Sequence, residues 1–188
     1  MRRRGVLVLL PALLVVGMAS YLGPAVTAAP PTADSLVQAA VKTAQAEKKT
    51  VLIEFGASWC VWCRNFENFV KAPDTGPIIT ANFVVVNLTV QEEDQNKKAL
   101  ENPGGEKLMF TWGGARSGLP FYVFLDGKGQ KIADSNVMPG GKNIGFPAVP
   151  DEIAAFMGLI DKTAPRVSAA DRSVLEASLK KTAKPAAH

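Results

Sequence analysis

Apolar residues at Val37, Ala40, Val41 and Ala44 recur at helical spacing, which predicts a helix over Thr32 to Lys48. Val51 to Phe55 is a short β-prone run closed by Gly56 and reads as a strand. A second helix is expected from Cys60 to about Lys71, with Phe66, Phe69 and Val70 on one side, ended by Pro73 and the Asp74-Thr75-Gly76-Pro77 cluster. Phe83 to Val90 is strongly β-branched and reads as a buried strand. Gln91 to Leu100 is polar and helix-compatible, Asn102 to Gly105 breaks the chain, and Glu106 to Trp112 fits a further helical turn or two. Phe121 to Leu125 is a strand, Asp126-Gly127-Lys128-Gly129 a hairpin turn, and Gln130 to Ala133 the start of its partner. After a Gly/Pro-rich connection from Pro139 to Pro150, Asp151 to Lys162 places Ile153, Phe156, Met157 and Ile160 on one helical face. Ser168 to Asp171 resembles a capping box opening a last helix striped by Val174, Leu175 and Leu179, with a frayed tail from Lys180. Strands separated by helices, then a hairpin and a helix, predict an α/β fold with a mixed sheet.

The first residues are organised differently. Arg2, Arg3 and Arg4 are followed by an uncharged stretch from Gly5 to Ala29, apolar from Val6 to Ala19, with small residues at Val26-Thr27-Ala28. That is the layout of a secretory signal peptide over residues 1–28, or of an N-terminal anchor if it is retained. A globular domain over 29–163 and a C-terminal helical extension over 164–188 follow. The 188 residues carry a net charge of +4, and the three leading arginines account for most of it. The basic balance is therefore a property of the targeting segment, which argues against a nucleic-acid surface.

Two cysteines and one histidine, the terminal His188, cannot supply a Cys/His zinc site or a His-based nucleophilic triad. The two cysteines, Cys60 and Cys63, instead follow a strand directly and open a helix. Residues three apart on a helix are neighbours, so a short disulfide can bridge them. Cys60 would sit at the helix N-terminus, where unpaired N–H groups and the macrodipole stabilise a thiolate. It is expected to be the exposed, acidic nucleophile, with Cys63 behind it as the resolving thiol. An inert structural disulfide is the open alternative in an exported protein, although a bridge this short constrains the unfolded chain little.

Phe55-Gly56-Ala57-Ser58-Trp59-Cys60-Val61-Trp62-Cys63 resembles the active-site segment of the thioredoxin family, in particular its exported branch with a Trp-Cys pair and a second Trp before the second Cys. Gly118-Leu119-Pro120-Phe121-Tyr122-Val123-Phe124-Leu125-Asp126 resembles that family's cis-proline loop and following strand. The resemblance spans about residues 33–163 and implies a thioredoxin-like fold, a central mixed sheet flanked by helices, here with an extra C-terminal helix. It implies a cis Leu119–Pro120 bond beside the cysteines, with the Leu119 backbone pairing a substrate strand. Glu54 stands where the family has a buried aspartate, and a carboxyl inside an apolar strand should have a raised pKa suited to taking the Cys63 proton. Trp59 and Trp62 would offer contact surface, while Trp112 reads as packing. Asn87 replaces a lysine common in the following strand. The sequon Asn87-Leu88-Thr89 reads as chance within a buried strand.

The implied activity is thiol–disulfide exchange with protein substrates, as a reductase or exchange catalyst rather than a strong oxidant, because no histidine lies between the cysteines. The redox-active disulfide itself is the only cofactor expected, with no metal. Implied partners are protein thiols and disulfides and a membrane-bound electron donor, no nucleic acid, and the chain is expected to act as a monomer in the periplasm or another exported location. The alternative is a non-catalytic binding or chaperone-like module that keeps the bridge as structure. Peroxidase chemistry is disfavoured, since Arg64 alone does not make a peroxide-activating site.

Overall fold

The computed structural model describes residues 29–182. The leader predicted over 1–28 and the tail beyond Thr182 lie outside the described residues. Helix α1 (Ala33–Glu47) starts on Thr32, whose side chain accepts the Ser35 amide, and stops at Lys48 in the left-handed region. Strand β1 (Thr50–Gly56) leads through a four-residue turn to α2 (Val61–Lys71). Then come α3 (Gly76–Asn82), β2 (Phe83–Thr89), a 3₁₀ segment (Gln95–Leu100), α4 (Gly105–Thr111), β3 (Phe121–Leu125), β4 (Lys131–Asp134), α5 (Pro150–Thr163) and α6 (Ala169–Thr182).

The sheet order is β2-β1-β3-β4, with β1 parallel to β2 and antiparallel to β3, and β3 antiparallel to β4. Alternation along the strands builds two apolar layers. Val51, Ile53 and Phe55 face α1 and α4, joined by Phe121, Val123 and Leu125. Leu52, Tyr122 and Phe124 face the other way, onto Phe66, Phe69 and Val70 of α2 and Phe156 and Ile160 of α5. The same alternation turns Glu54 toward the α2 side of the sheet, and this is what gives the site its acid.

Four expectations change. Helix α3 was not foreseen, because Gly76-Pro77 reads as a breaker; Pro77 instead stands in its first turn, where a missing N–H costs nothing. The helix-compatible stretch after β2 contracts to the 3₁₀ segment. Strand β2, expected to be buried, is an edge strand that is only partly buried, and its Asn87 is exposed. In α6, Leu175 and Leu179 are fully buried in the core, while Val174 is exposed rather than part of the stripe. Ser168 Oγ caps this helix, accepting the Asp171 amide at 3.0 Å.

Candidate functional site

The site is assembled where β1 ends. The turn Ala57–Cys60 is closed by the Cys60 amide donating to Ala57 C=O at 3.1 Å, and it hands the chain to α2 with Cys60 as N-cap. Cys60 Sγ accepts the Cys63 amide at 3.0 Å, filling the role a serine or aspartate oxygen plays at other helix starts. Cys60 and Cys63 are joined by a disulfide, with Cα atoms 5.3 Å apart. The peptide bond between Leu119 and Pro120 is cis, and Leu119 packs against the cluster of Ala57, Cys60 and Cys63. The loop expected beside the sulfurs is therefore there.

One expectation fails. Cys60 was expected to be wet and Cys63 hidden, but they are 3% and 2% exposed. In the disulfide state the two sulfurs share one apolar pocket under Leu119, so being first on the helix does not bring exposure. The exposed surface belongs to Val61, at 56%, and to the tryptophans, with Trp59 at 44% and Trp62 at 52%. Both tryptophans are held in place. Trp59 Nε1 donates to Gln91 C=O at 2.8 Å, and Trp62 stacks on Phe146 with ring centroids 6.2 Å apart. Trp112 packs edge-on to Phe55 inside the α1-side layer.

Glu54 is buried at 1% exposure, and its Oε1 has no hydrogen-bond partner. Loss of hydration pushes its pKa from 4.5 up to about 8; the Glu67 charge adds to the rise and Lys71 opposes it. Gly56 keeps the acid and the resolving sulfur close. A Cβ built on it would lie 3.3 Å from Cys63 Sγ and 3.5 Å from Glu54 Oε1, so both groups border the gap left beside this glycine. A cleft of about 300 Å³, lined in part by Glu54, Glu67, Arg64 and the exposed Asn87, opens this chamber toward solvent.

Two further groups were not foreseen. Glu92, just past β2, is buried and accepts from Ser58 twice, the amide to Oε1 at 2.6 Å and the hydroxyl to Oε2 at 2.8 Å. Asn143, in the Gly-rich connection, donates through Nδ2 to Gly118 C=O at 2.7 Å and Pro120 C=O at 2.9 Å, bracketing the cis bond. The only available signal was an acidic run, Glu92-Glu93-Asp94, directly after an apolar strand, and nothing local says which of its members turns inward.

A family model described as thioredoxin-like matches residues 32–127, more than half of the chain and inclusive of both cysteines and Glu54. The chain belongs to the thioredoxin-like family. It is 29% identical over 93 residues to the thiol:disulfide interchange protein DsbD of Photorhabdus laumondii subsp. laumondii, a match covering 50% of this chain and only 14% of that relative. Among solved structures, it is similar to a disulphide isomerase from Xylella fastidiosa Temecula1, at 20% identity and TM-score 0.47, covering 81% of this chain and 92% of the other. A DsbH oxidoreductase aligns at 16% identity and TM-score 0.45, covering 78% and 93%. Within this thioredoxin-like chain, a Cys-x-x-Cys disulfide at a helix N-terminus beside a buried carboxyl is an arrangement capable of thiol–disulfide exchange.

Proposed function

We propose that this thioredoxin-like chain is an exported thiol–disulfide oxidoreductase acting on protein substrates through the Cys60/Cys63 couple. The observation that carries the reading is the Cys60–Cys63 bridge at the start of α2, with Leu119 against it and Glu54 across Gly56 from Cys63. The matched part of the Photorhabdus relative, named for thiol:disulfide interchange, supports the same class.

In the reducing direction the Cys60 thiolate attacks a substrate disulfide, forming Cys60–S–S–substrate and releasing one substrate thiolate. The Cys63 thiol passes its proton to the Glu54 carboxylate, and its sulfur attacks Cys60 Sγ. The Cys60–Cys63 bond forms and the second substrate thiolate leaves, taking up a proton. The substrate gains two electrons and the enzyme pair loses them, so a dithiol donor must restore the couple. Glu54 fits the proton step because a carboxyl at about 8 nearly matches an ordinary thiol near 8.5. Trp59, Trp62 and Leu119 form the surface a substrate strand meets, and Pro120 fixes the turn that presents Leu119. Export rests on the basic, then apolar, then small-residue start of the sequence. Among the described residues no helix is long and apolar enough to cross a membrane. A reductase or exchange role fits the absence of histidine between Cys60 and Cys63.

The near-complete burial of both sulfurs favours a second reading, in which the bridge is structural and the chain is a binding module. One experiment separates the two. Cys63→Ala, lacking the resolving thiol, should accumulate mixed disulfides through Cys60, and the wild type should reduce insulin disulfides with a dithiol donor. A bridge that resists glutathione and a variant that traps no substrate establish the structural reading instead.

A further inference from the structure

The turn that delivers Cys60 to its helix is gripped through Ser58 and through the Trp59 side chain. Ser58 N–H and Oγ–H go to Glu92, Ser58 C=O takes the Arg64 guanidinium at 2.8 Å, and the Trp59 indole goes to Gln91 C=O. Gln91 reaches that position with φ at 54°, the left-handed region that non-glycine residues rarely adopt. Glu92 is fixed in turn, its own amide donating at 2.7 Å to Glu101 Oε1, which also meets Lys98 Nζ at 2.9 Å. The Ser58–Glu92 contacts join segments 34 residues apart in sequence, through a side chain only 1% exposed.

A hydroxyl and an amide could have been satisfied by any neutral acceptor. A carboxylate with both oxygens in acceptor positions instead places a full negative charge on the turn, two residues before the nucleophile. The charged groups around the cysteines are unevenly placed. Glu67 of α2 adds negative charge on the sheet side, where Glu54 of β1 stays protonated up to about pH 8, and Glu93, Asp94 and Glu101 lie with Glu92 beyond β2. The cations are Arg64 and Lys71 of α2 and Lys98 of the 3₁₀ segment. Arg64, Lys71 and Lys98 are solvent-exposed, so water and salt screen them. A buried charge acts through a lower effective dielectric and is screened far less.

We propose that Glu92 is a positioning residue that holds the Ser58–Trp59–Cys60 turn and whose buried charge disfavours the Cys60 thiolate, biasing the couple toward the reducing side. The inference rests on the exchange reading above and gives that reading a direction: a less stable thiolate makes the dithiol the better electron donor, the opposite of strong oxidants, whose reduced form is stabilised.

Glu92→Gln keeps an oxygen for the Ser58 amide and an NH₂ for its hydroxyl while removing the charge; Ser58→Ala keeps the charge and removes one bond. In the full chain, thiolate absorbance against pH should show the Cys60 pKa falling by about one unit in Glu92→Gln, the low end for a nearby charge. Above both thiol pKa values, the equilibrium with glutathione should move about tenfold toward the dithiol, or about 30 mV less negative. Ser58→Ala should leave both readings within about twofold. Unchanged values in Glu92→Gln, or an equal shift in Ser58→Ala, overturn the role of the charge. If Glu92→Gln does not fold, glutamate-labelled wild type decides: the Glu92 carboxyl carbon signal should show an inflection as Cys60 titrates, and a flat signal refutes the coupling. A wild-type disulfide that no dithiol reduces instead removes the exchange reading itself, so the two failures are told apart.

Discussion

At the scale of the residue, Glu54 sets two properties with opposite demands. A carboxyl with a folded pKa of about 8 and an ordinary value of 4.5 is protonated in the native state over a pH window in which the unfolded chain has released the proton. Between these values the native state binds one more proton than the unfolded one, so stability falls as pH rises from about 4.5 to about 8. Near neutral pH the accumulated cost is on the order of 3 kcal/mol. Glu54→Gln should therefore flatten the pH dependence of denaturant unfolding and be more stable than wild type at pH 8, while slowing release of mixed disulfides because no base serves Cys63. A variant that keeps the wild-type pH slope would show that another group carries it. Gly56 tests the same contact from the other side. Gly56→Ala inserts a carbon 3.2 Å from Cys63 Cβ and 3.5 Å from Glu54 Oε1, into the gap both groups border. It should cost about 1–3 kcal/mol by overpacking and lower the resolution rate more than the rate of Cys60 attack, as read by stopped-flow quenching of the tryptophans. Equal slowing of both steps would mean the gap is not the proton route.

At the scale of the element, α2 starts on a sulfur. Cys60 Sγ accepts the third helical amide from an extended N-cap conformation, so the nucleophile also terminates its own helix. Cys60→Ser and Cys60→Ala both abolish exchange, yet serine retains an acceptor and alanine does not. With Cys63 reduced in each, the serine variant should be more stable by about 1 kcal/mol in urea unfolding; equal stabilities would show that the cap contributes nothing. This element was legible in sequence because all its determinants lie within ten residues of Cys60: the apolar strand before it, the paired cysteines, and the Phe66, Phe69 and Val70 face. The acid was legible for the same reason, as Glu54 interrupts that strand six residues before Cys60. What stayed hidden depends on contacts made across the chain. A β-branched run looks alike at the edge and at the centre of a sheet, so the partial burial of β2 and the exposure of Asn87 do not show in the sequence. The burial of Cys60 comes from Leu119, the grip on Ser58 from Glu92, and the hold on Gly118 and Pro120 from Asn143, none of which local periodicity can report. Helix α3 was obscured by a proline that stops a preceding helix and serves equally well at the start of the next.

At the scale of the whole molecule, α6 is joined to the core and distant from the chemistry. Leu175 and Leu179 are fully buried in the same cluster as Phe156, Ile160, Phe66 and Tyr122, which continues beneath α2. The cysteines belong to a separate small cluster with Ala57 and Leu119. Outside that core α6 is also tied to α5 by Arg172, whose Nε lies 2.9 Å from Asp161, an exposed pair that contributes little by comparison. Truncating one buried leucine should therefore act on folding as a whole and leave the redox couple alone. Leu179→Ala is expected to cost about 2–5 kcal/mol, with tryptophan fluorescence and far-ultraviolet dichroism losing signal at the same denaturant concentration. The glutathione equilibrium of the folded variant should match wild type. If the dichroism transition separates and precedes the fluorescence one, α6 melts as an independent appendage; if the redox equilibrium moves with the stability, the core beneath α2 transmits strain to the cysteines, and the separation of the two clusters does not insulate the site.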